Sequence, residues 1–340
     1  MQTSLARRQR RRRYGNGRRQ GGGGRTVRGV IIAIPLFLFS TIVLLGFVGL
    51  VSAVVAYNQF ATGLPDPLEA LQKIRFEQQT VVYDRTGTVE LARFGGSKRE
   101  LVTFEEIPAE LIDATTAVED KTFWENVGFD PVGIVSAALD TLRGNERGAS
   151  TITQQLVRQR LLPREVLEGS RFERKIKEII QSVRLTQGLP EGEAGKRAII
   201  TAYLNQNFYG NQSYGVKAAA RSYFAKDLSE LTLAEAAVLA GIPQSPTRFD
   251  LVKNAVEECE IDVLEGEDCP AGKTRLAVPA DSEIVQRRNY ILGLMKTRSV
   301  LSGKDHTLEE YDLAMTEPLI LARQVSPPWK APHLVWQVRS

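Results

Sequence analysis

Two glutamates of this 340-residue chain, Glu119 and Glu178, have neighbours that would suit them to chemistry. Glu119 opens the run Glu119-Asp120-Lys121-Thr122-Phe123-Trp124, directly after an apolar stripe and before two aromatics. A carboxylate at the edge of an apolar face is partly desolvated, and desolvation favours the protonated form, which suits such groups to proton transfer. A Glu-Asp pair is equally the composition of a solvated helix end. Glu178 closes the run Arg171-Phe172-Glu173-Arg174-Lys175-Ile176-Lys177-Glu178. On a helix, Arg174 and Lys175 lie four and three residues before Glu178, so both cations share its face. They form either a surface ion-pair ladder or a grip on a pyrophosphate, with Glu178 orienting them or helping the leaving group. Between the two glutamates, Ser150-Thr151-Ile152-Thr153-Gln154-Gln155 reads as a helix start with Ser150 as N-cap. Free N–H groups and hydroxyls gather there and favour an anion such as phosphate. Arg158 follows Gln155 by three residues, on the same side. Ala202–Gly210, followed by Tyr214-Gly215-Val216, interleaves polar and aromatic side chains, as a sugar cleft or a packed helix end would.

Other chemistries lack the residues. His306 and His333 are the only histidines, and Cys259 and Cys269 the only cysteines, too few for a Cys/His zinc site. The two cysteines sit in an acidic, loop-like stretch and read as a small structural disulfide, which an oxidising compartment permits. With 43% hydrophobic and 25% charged residues the composition is that of a globular protein. The net charge of +4 averages unlike regions, because residues 1–28 hold ten arginines and no acid. Without them the chain carries 34 basic against 40 acidic residues. A nucleic-acid-binding domain would carry its positive charge on the folded part, so nucleic acid is not expected as a partner.

The elements that must position these residues follow from apolar spacing. Residues 1–28 form a basic tail, and 29–58 a membrane-spanning helix. Val30–Tyr57 is almost wholly apolar, and its 28 residues would rise about 42 Å as a helix, against a hydrocarbon core of about 30 Å. A signal peptide's apolar run is only about 7–15 residues, so a retained anchor is expected. The arginines before the span put the N-terminus in the cytoplasm and the rest outside. Within 59–95, a juxtamembrane segment leads to two β-type runs, Thr80–Tyr83 and Val89–Phe94. Asp84-Arg85-Thr86-Gly87 between them predicts a hairpin. Residues 96–300 read as one mainly α-helical domain. Apolar stripes run through Ile107, Leu111, Ala114 and Val118, with Pro108 in the first turn. Others run through Phe172, Ile176, Ile179, Ile180 and Val183, and through Ile284, Arg288, Ile291, Leu292 and Met295. Thr232 and Glu235 form a capping box before an alanine-rich buried helix. Residues 252–282, acidic around the cysteine pair, read as a solvated surface insertion.

In this order and spacing, the blocks resemble the peptidoglycan glycosyltransferases (glycosyltransferase family 51), the glycan-polymerising module of class A penicillin-binding proteins. The resemblance rests on Glu119-Asp120 with Phe123, Ser150 to Gln155, Arg174-Lys175 with Glu178, and Tyr203-Leu204-Asn205. Tyr214-Gly215-Val216, Leu231–Pro246 and Arg287-Arg288-Asn289 extend it over nearly all of residues 80–300. Departures from the family pattern are Asn126 for a histidine, Arg158 for a lysine, Ala149 for a glycine, and Ala198 and Thr201 for acidic residues. The histidine position is therefore not expected to transfer protons here.

The resemblance implies a mainly α, lysozyme-like fold and lipid II as substrate, polymerised into β-1,4-linked glycan with inversion and release of polyprenyl pyrophosphate. It makes Glu119 the general base and Glu178 the residue assisting pyrophosphate departure, with Arg158, Arg174 and Lys175 neutralising it. Ser150, Thr151, Gln154 and Gln155 would line the donor side and Asp120 the acceptor side, with Phe123 and Asn205 also in the substrate-binding set. No cofactor is required and no metal ligand is expected, although a divalent cation, Mg or Mn, would suit a pyrophosphate. Expected partners are lipid II, the growing strand, membrane lipids and a cell-wall synthesis complex at the bacterial cell membrane. Phe129–Leu142 is apolar enough for the family's lip that dips into the bilayer, or for the core. Class A proteins continue into a transpeptidase with Ser-x-x-Lys at its active site. No such motif heads a domain-sized segment here, and 301–340 reads as the start of a linker. A truncated bifunctional protein or a fragment is thus expected. The competing readings are a lysozyme-like hydrolase, for which a phosphate grip has no use, and a non-catalytic scaffold.

Overall fold

The computed structural model describes residues 23–74, 80–94, 98–144, 148, 150–261, 268–303, 305–324 and 333. Most of the expected basic tail (1–22), Ala149, residues 262–267 and the end of the expected linker (325–332 and 334–340) lie outside them. The chain divides into two units, Met1–Thr62 and Gly63–Ser340.

The first unit contains helix α1, Gly23–Ala61. Its stretch Leu36–Ala61, 26 residues, is long and apolar enough to cross a membrane. Its large apolar side chains, from Leu36 and Phe37 to Val55 and Tyr57, stand exposed, as a lipid-facing surface requires.

The second unit opens with α2 (Pro67–Gln72), started by Asp66, whose carboxylate accepts from the Leu68 and Glu69 amides. The expected hairpin follows as β1 (Thr80–Tyr83) and β2 (Glu90–Phe94), antiparallel. Its turn is tied by the Asp84 carboxylate, which accepts from the Thr86 hydroxyl and the Val89 amide. Strand β3 (Lys98–Arg99) pairs in parallel with the later β4 (Ser213–Tyr214).

Between and after these strands come the helices: α3 (Ala109–Glu119), α4 (Pro131–Leu142), α5 (Ile152–Arg160), α6 (Arg164–Glu168), α7 (Arg171–Gly188) and α8 (Glu193–Gln206). After β4 follow α9 (Val216–Phe224), α10 (Leu233–Gly241), α11 (Leu251–Asn254), strands β5 (Val256–Cys259) and β6 (Thr274–Val278), α12 (Glu283–Arg298), α13 (Leu308–Thr316) and β7 (Leu319–Leu321). The core forms where α3, α10 and α12 pack together. The Thr232/Glu235 capping box starts α10 as expected. Its Ala234, Ala236, Ala237 and Ala240 let neighbouring helices approach closely, and α10 is buried from Ala234 to Gly241. Removing the Leu111 side chain to Cβ, at the centre of this packing, would cost about 2–5 kcal/mol.

Three expectations differ from the structure. The α7 stripe is not an inward apolar seam. Phe172 is exposed and Ile176, Ile179 and Val183 are half-buried, whereas the polar Glu178, Gln181 and Ser182 are buried beside Ile180 and Leu185. Polar groups turn inward where they find partners: Glu178 meets cations of α5 and α7, Gln181 donates to the Pro65 carbonyl, and Ser182 to the Glu178 carbonyl. Residues 252–282 do not form only a solvated insertion: β5, β6 and β7 make an antiparallel sheet, and Ala277, Val278, Leu319 and Leu321 enter the core. A disulfide joins Cys259 to Cys269 beside that hairpin. Finally, the folded unit continues past residue 300, because α13 packs on α12 and β7 completes the sheet. Asp113 of α3 holds that region, accepting from the amides of Val300, Leu301 and Ser302 at 2.6–3.1 Å and from the Ser302 hydroxyl at 2.8 Å.

Candidate active site

Helix α3 ends at Glu119 because Asp120 leaves the helical conformation, with φ −157° and ψ 82°. The Asp120 carboxylate then bridges α3 to the start of α5. It accepts from the Ile152 amide at 3.1 Å and from Asn126 Nδ2 at 3.0 and 3.1 Å. Burial pushes Asp120 above the ordinary carboxylate range, opposed by these donors and by the charge of Lys196. Lys196, buried on α8, donates to the Asn126 carbonyl at 2.6 Å and to its Oδ1 at 3.1 Å. Burial brings Lys196 down to about 8, with Asp120 opposing. Next in the chain Gly128, at φ +99°, lies where a Cβ would stand 2.4 Å from the Ser182 carbonyl oxygen, so only glycine fits there. Its carbonyl accepts from the Thr151 hydroxyl at 2.7 Å.

That hydroxyl corrects the expected cap of α5. Thr151, not Ser150, is the N-cap, in a capping box with Gln154, and both are buried. Ser150 is thereby released outward, and its hydroxyl accepts from Lys175 Nζ at 2.8 Å. Gln154 Oε1 accepts from the same amine at 3.1 Å.

Glu119 lies on the wall of a cleft of about 410 Å³ that Ser150, Gln155, Arg287 and Tyr290 also line. Its side chain is 14% exposed. One oxygen accepts from Gln155 Nε2 at 2.8 Å, and the other lies 3.4 Å from Arg287 Nη2. Glu178 differs, being only 1% exposed. Three cations surround it: Arg158 at 3.9 Å, Arg174 at 3.7 Å and Lys175 at 3.6 Å. One buried negative charge thus gathers three positive ones, and the cations reach outward while the carboxylate does not. Desolvation pulls Lys175 below the ordinary lysine range, with Glu178 opposing. A net excess of two positive charges can hold an anion. Ser150 joins this cluster to the cleft, since it lines the cleft and bonds Lys175.

The structure therefore brings Glu119, Asp120, Ser150, Thr151 and Gln155 to one cleft, with Arg158, Arg174, Lys175 and Glu178 behind Ser150. Phe123 and Asn205 are placed elsewhere. Phe123 is fully buried, against Trp124 and beneath Lys196. Asn205 is buried and exchanges two hydrogen bonds of 2.9 Å with the Val102 backbone. Sequence reasoning assigned no role to Arg287, Tyr203 or Lys196. The first two lay in matching blocks, but nothing in local spacing joins Arg287 to a glutamate 168 residues away. Helix α4 presents Val132, Val135, Leu139 and Leu142 on one exposed face, at spacings of three and four.

Against known proteins, residues 87–264 match the family described as Transglycosylase. The chain is similar to penicillin-binding protein 1A of Vibrio cholerae serotype O1, 34% identical over 266 residues, covering 78% of this chain and 27% of that protein. It is 33% identical over 285 residues to penicillin-binding protein 1A of Aquifex aeolicus, covering 83% and 33%. With penicillin-binding protein 1A of Escherichia coli K12 it shares 39% over 196 residues, covering 57% and 22%. The chain thus spans a third or less of the length of each of these curated relatives.

Proposed function

The chain belongs to the Transglycosylase family, and from that membership and the cleft we propose that it is a membrane-anchored peptidoglycan glycosyltransferase that polymerises lipid II. The observation that carries this reading is a cleft joining a half-shielded carboxylate to a cluster with excess positive charge. In the reaction, Glu119 takes the proton of the acceptor sugar's 4-hydroxyl. The resulting oxygen nucleophile attacks the anomeric carbon of the donor strand from the face opposite its phosphate. The C–O bond to the polyprenyl pyrophosphate breaks, and the electron pair leaves with the pyrophosphate. Arg158, Arg174 and Lys175 neutralise that departing charge. Glu178, too buried to touch substrate, keeps the three cations together. Asp120 serves through its hold on α5, since its oxygens are already engaged.

The membrane-facing reading of α4 draws support from its exposed apolar face, which suits the boundary where a lipid-linked substrate is met. The arginines before α1 support a cytoplasmic N-terminus. The Cys259–Cys269 disulfide supports a catalytic unit outside the membrane. A single assay tests the activity: lipid II supplied to the purified chain. Long glycan is expected from the unaltered protein. Glu119→Gln is expected to lower its rate by about 10²–10⁴-fold, the usual worth of a general base. Substantial polymerisation by Glu119→Gln, or shortening of pre-formed strands by the unaltered chain, would overturn the reading.

A further inference from the structure

Glu119 is the end point of two hydrogen-bond chains that come from distant parts of the sequence. In the first, the Tyr203 hydroxyl donates to Gln155 Oε1 at 3.1 Å, and Gln155 Nε2 donates to Glu119 Oε2 at 2.8 Å. In the second, Arg287 Nε donates to the Gly241 carbonyl at 3.0 Å, which turns Nη2 toward Glu119 Oε1 at 3.4 Å. A primary amide has a donor end and an acceptor end of nearly the same shape. The Glu119 carboxylate, which only accepts, distinguishes them by taking the nitrogen, and the other end meets Tyr203. Its ring is fully buried. Burial, reinforced by the charge of Glu119, pushes its hydroxyl far up, so it remains an O–H. That O–H donates to the amide oxygen while the amide nitrogen faces the carboxylate. Reversed, the amide would set oxygen against oxygen. Arg287 is fixed in a comparable way. It lies along α10 at Gly241, where a Cβ would stand 3.3 Å from the Arg287 Cγ.

We propose that Gln155, braced by Tyr203, and Arg287 are positioning residues that hold the Glu119 carboxylate in place and aimed into the cleft. The proposal rests on the reading of Glu119 as the general base. Each carboxylate oxygen keeps a lone pair beyond the one these donors use, and that is where the acceptor's proton goes. Gln155 thereby serves the base and not the donor substrate. Tyr203, sealed from the cleft, acts only through Gln155.

The test is steady-state polymerisation of lipid II by the full chain, with thermal unfolding of each variant as a fold control. Gln155→Ala is expected to lower kcat about ten- to a hundredfold, the range for a hydrogen bond to a charged group, and Tyr203→Phe about two- to tenfold, the range for a neutral one. KM should change little, because the lost contacts act on the base. In a Gln155→Ala background Tyr203→Phe should have no further effect. A Tyr203 that merely supports packing would lower the rate by the same factor in both backgrounds. Arg287→Met should lower kcat, and Arg287→Lys should restore part of it. If Tyr203→Phe does not fold, Gln155→Glu replaces it, because that change sets an acceptor against Glu119 and should inactivate a folded chain. Wild-type rates in Tyr203→Phe or Gln155→Glu, or equal losses in both backgrounds, overturn the proposal even where Glu119→Gln is inactive. An unaltered chain that makes no glycan overturns the functional reading, and this one with it, so the two failures are distinct.

Discussion

At the residue scale, several side chains expected on the substrate are spent on holding others in place. Gln154 completes a cap, Asn205 brackets Val102, and Asp120 ties α3 to α5. Asn126, where the family usually has histidine, has its amide fully engaged: it donates to Asp120 and accepts from Lys196 and the Gly128 amide. Lys196→Met would leave the Asn126 carbonyl without its donor and its Oδ1 with the Gly128 amide alone, at a cost of about 1–3 kcal/mol, measurable as a lower denaturation midpoint. The same group has a signed pH dependence. Its folded value, about 8, lies below the ordinary lysine value of 10.5, so between these the unfolded chain binds more protons. Its contribution to stability is therefore least below pH 8 and rises as pH increases toward 10.5. Unfolding midpoints of wild type and Lys196→Met, compared from pH 7 to about 10, should diverge in favour of wild type. A constant difference would refute the assignment. Apart from the Thr151–Gln154 cap, which is local to α5, these partnerships were not legible in the sequence, because they join sequence-distant residues.

At the element scale, the helices themselves were largely legible. Apolar spacing located α3 and α12, the Thr232/Glu235 capping box located α10, and the turn chemistry around Asp84 located the hairpin. Helix α7 was found but its inward face was misjudged, since periodicity reports a stripe and does not say which neighbour it meets. The last elements were missed because short runs such as Leu319–Leu321 become a strand only beside β6. Asp113 connects this late region to the core. Asp113→Ala would leave three buried or half-buried amides of residues 300–302 unpaired and cost roughly 3–5 kcal/mol. Urea unfolding measures that loss. A midpoint like that of wild type would show that solvent replaces the carboxylate.

At the scale of the whole molecule, the proposed topology predicts where the cysteines stand. After mild reduction of intact spheroplasts, a membrane-impermeant thiol reagent should label Cys259 and Cys269. Labelling only after lysis would place the catalytic unit on the other side. The apolar span, the charge bias beside it, the ordered motif blocks and the two glutamates were determined by the sequence alone, because each depends on residue type or spacing along one stretch of chain. What surrounds each of those glutamates was set only by tertiary structure. Four helices, α3, α5, α10 and α12, must pack before Gln155 and Arg287 reach Glu119. Packing of α7 on α5 makes Glu178 the buried centre of three cations and leaves Glu119 at the cleft wall. Burial and charge pairing across sequence-distant elements are properties of the packed core, and local pattern carries no information about them.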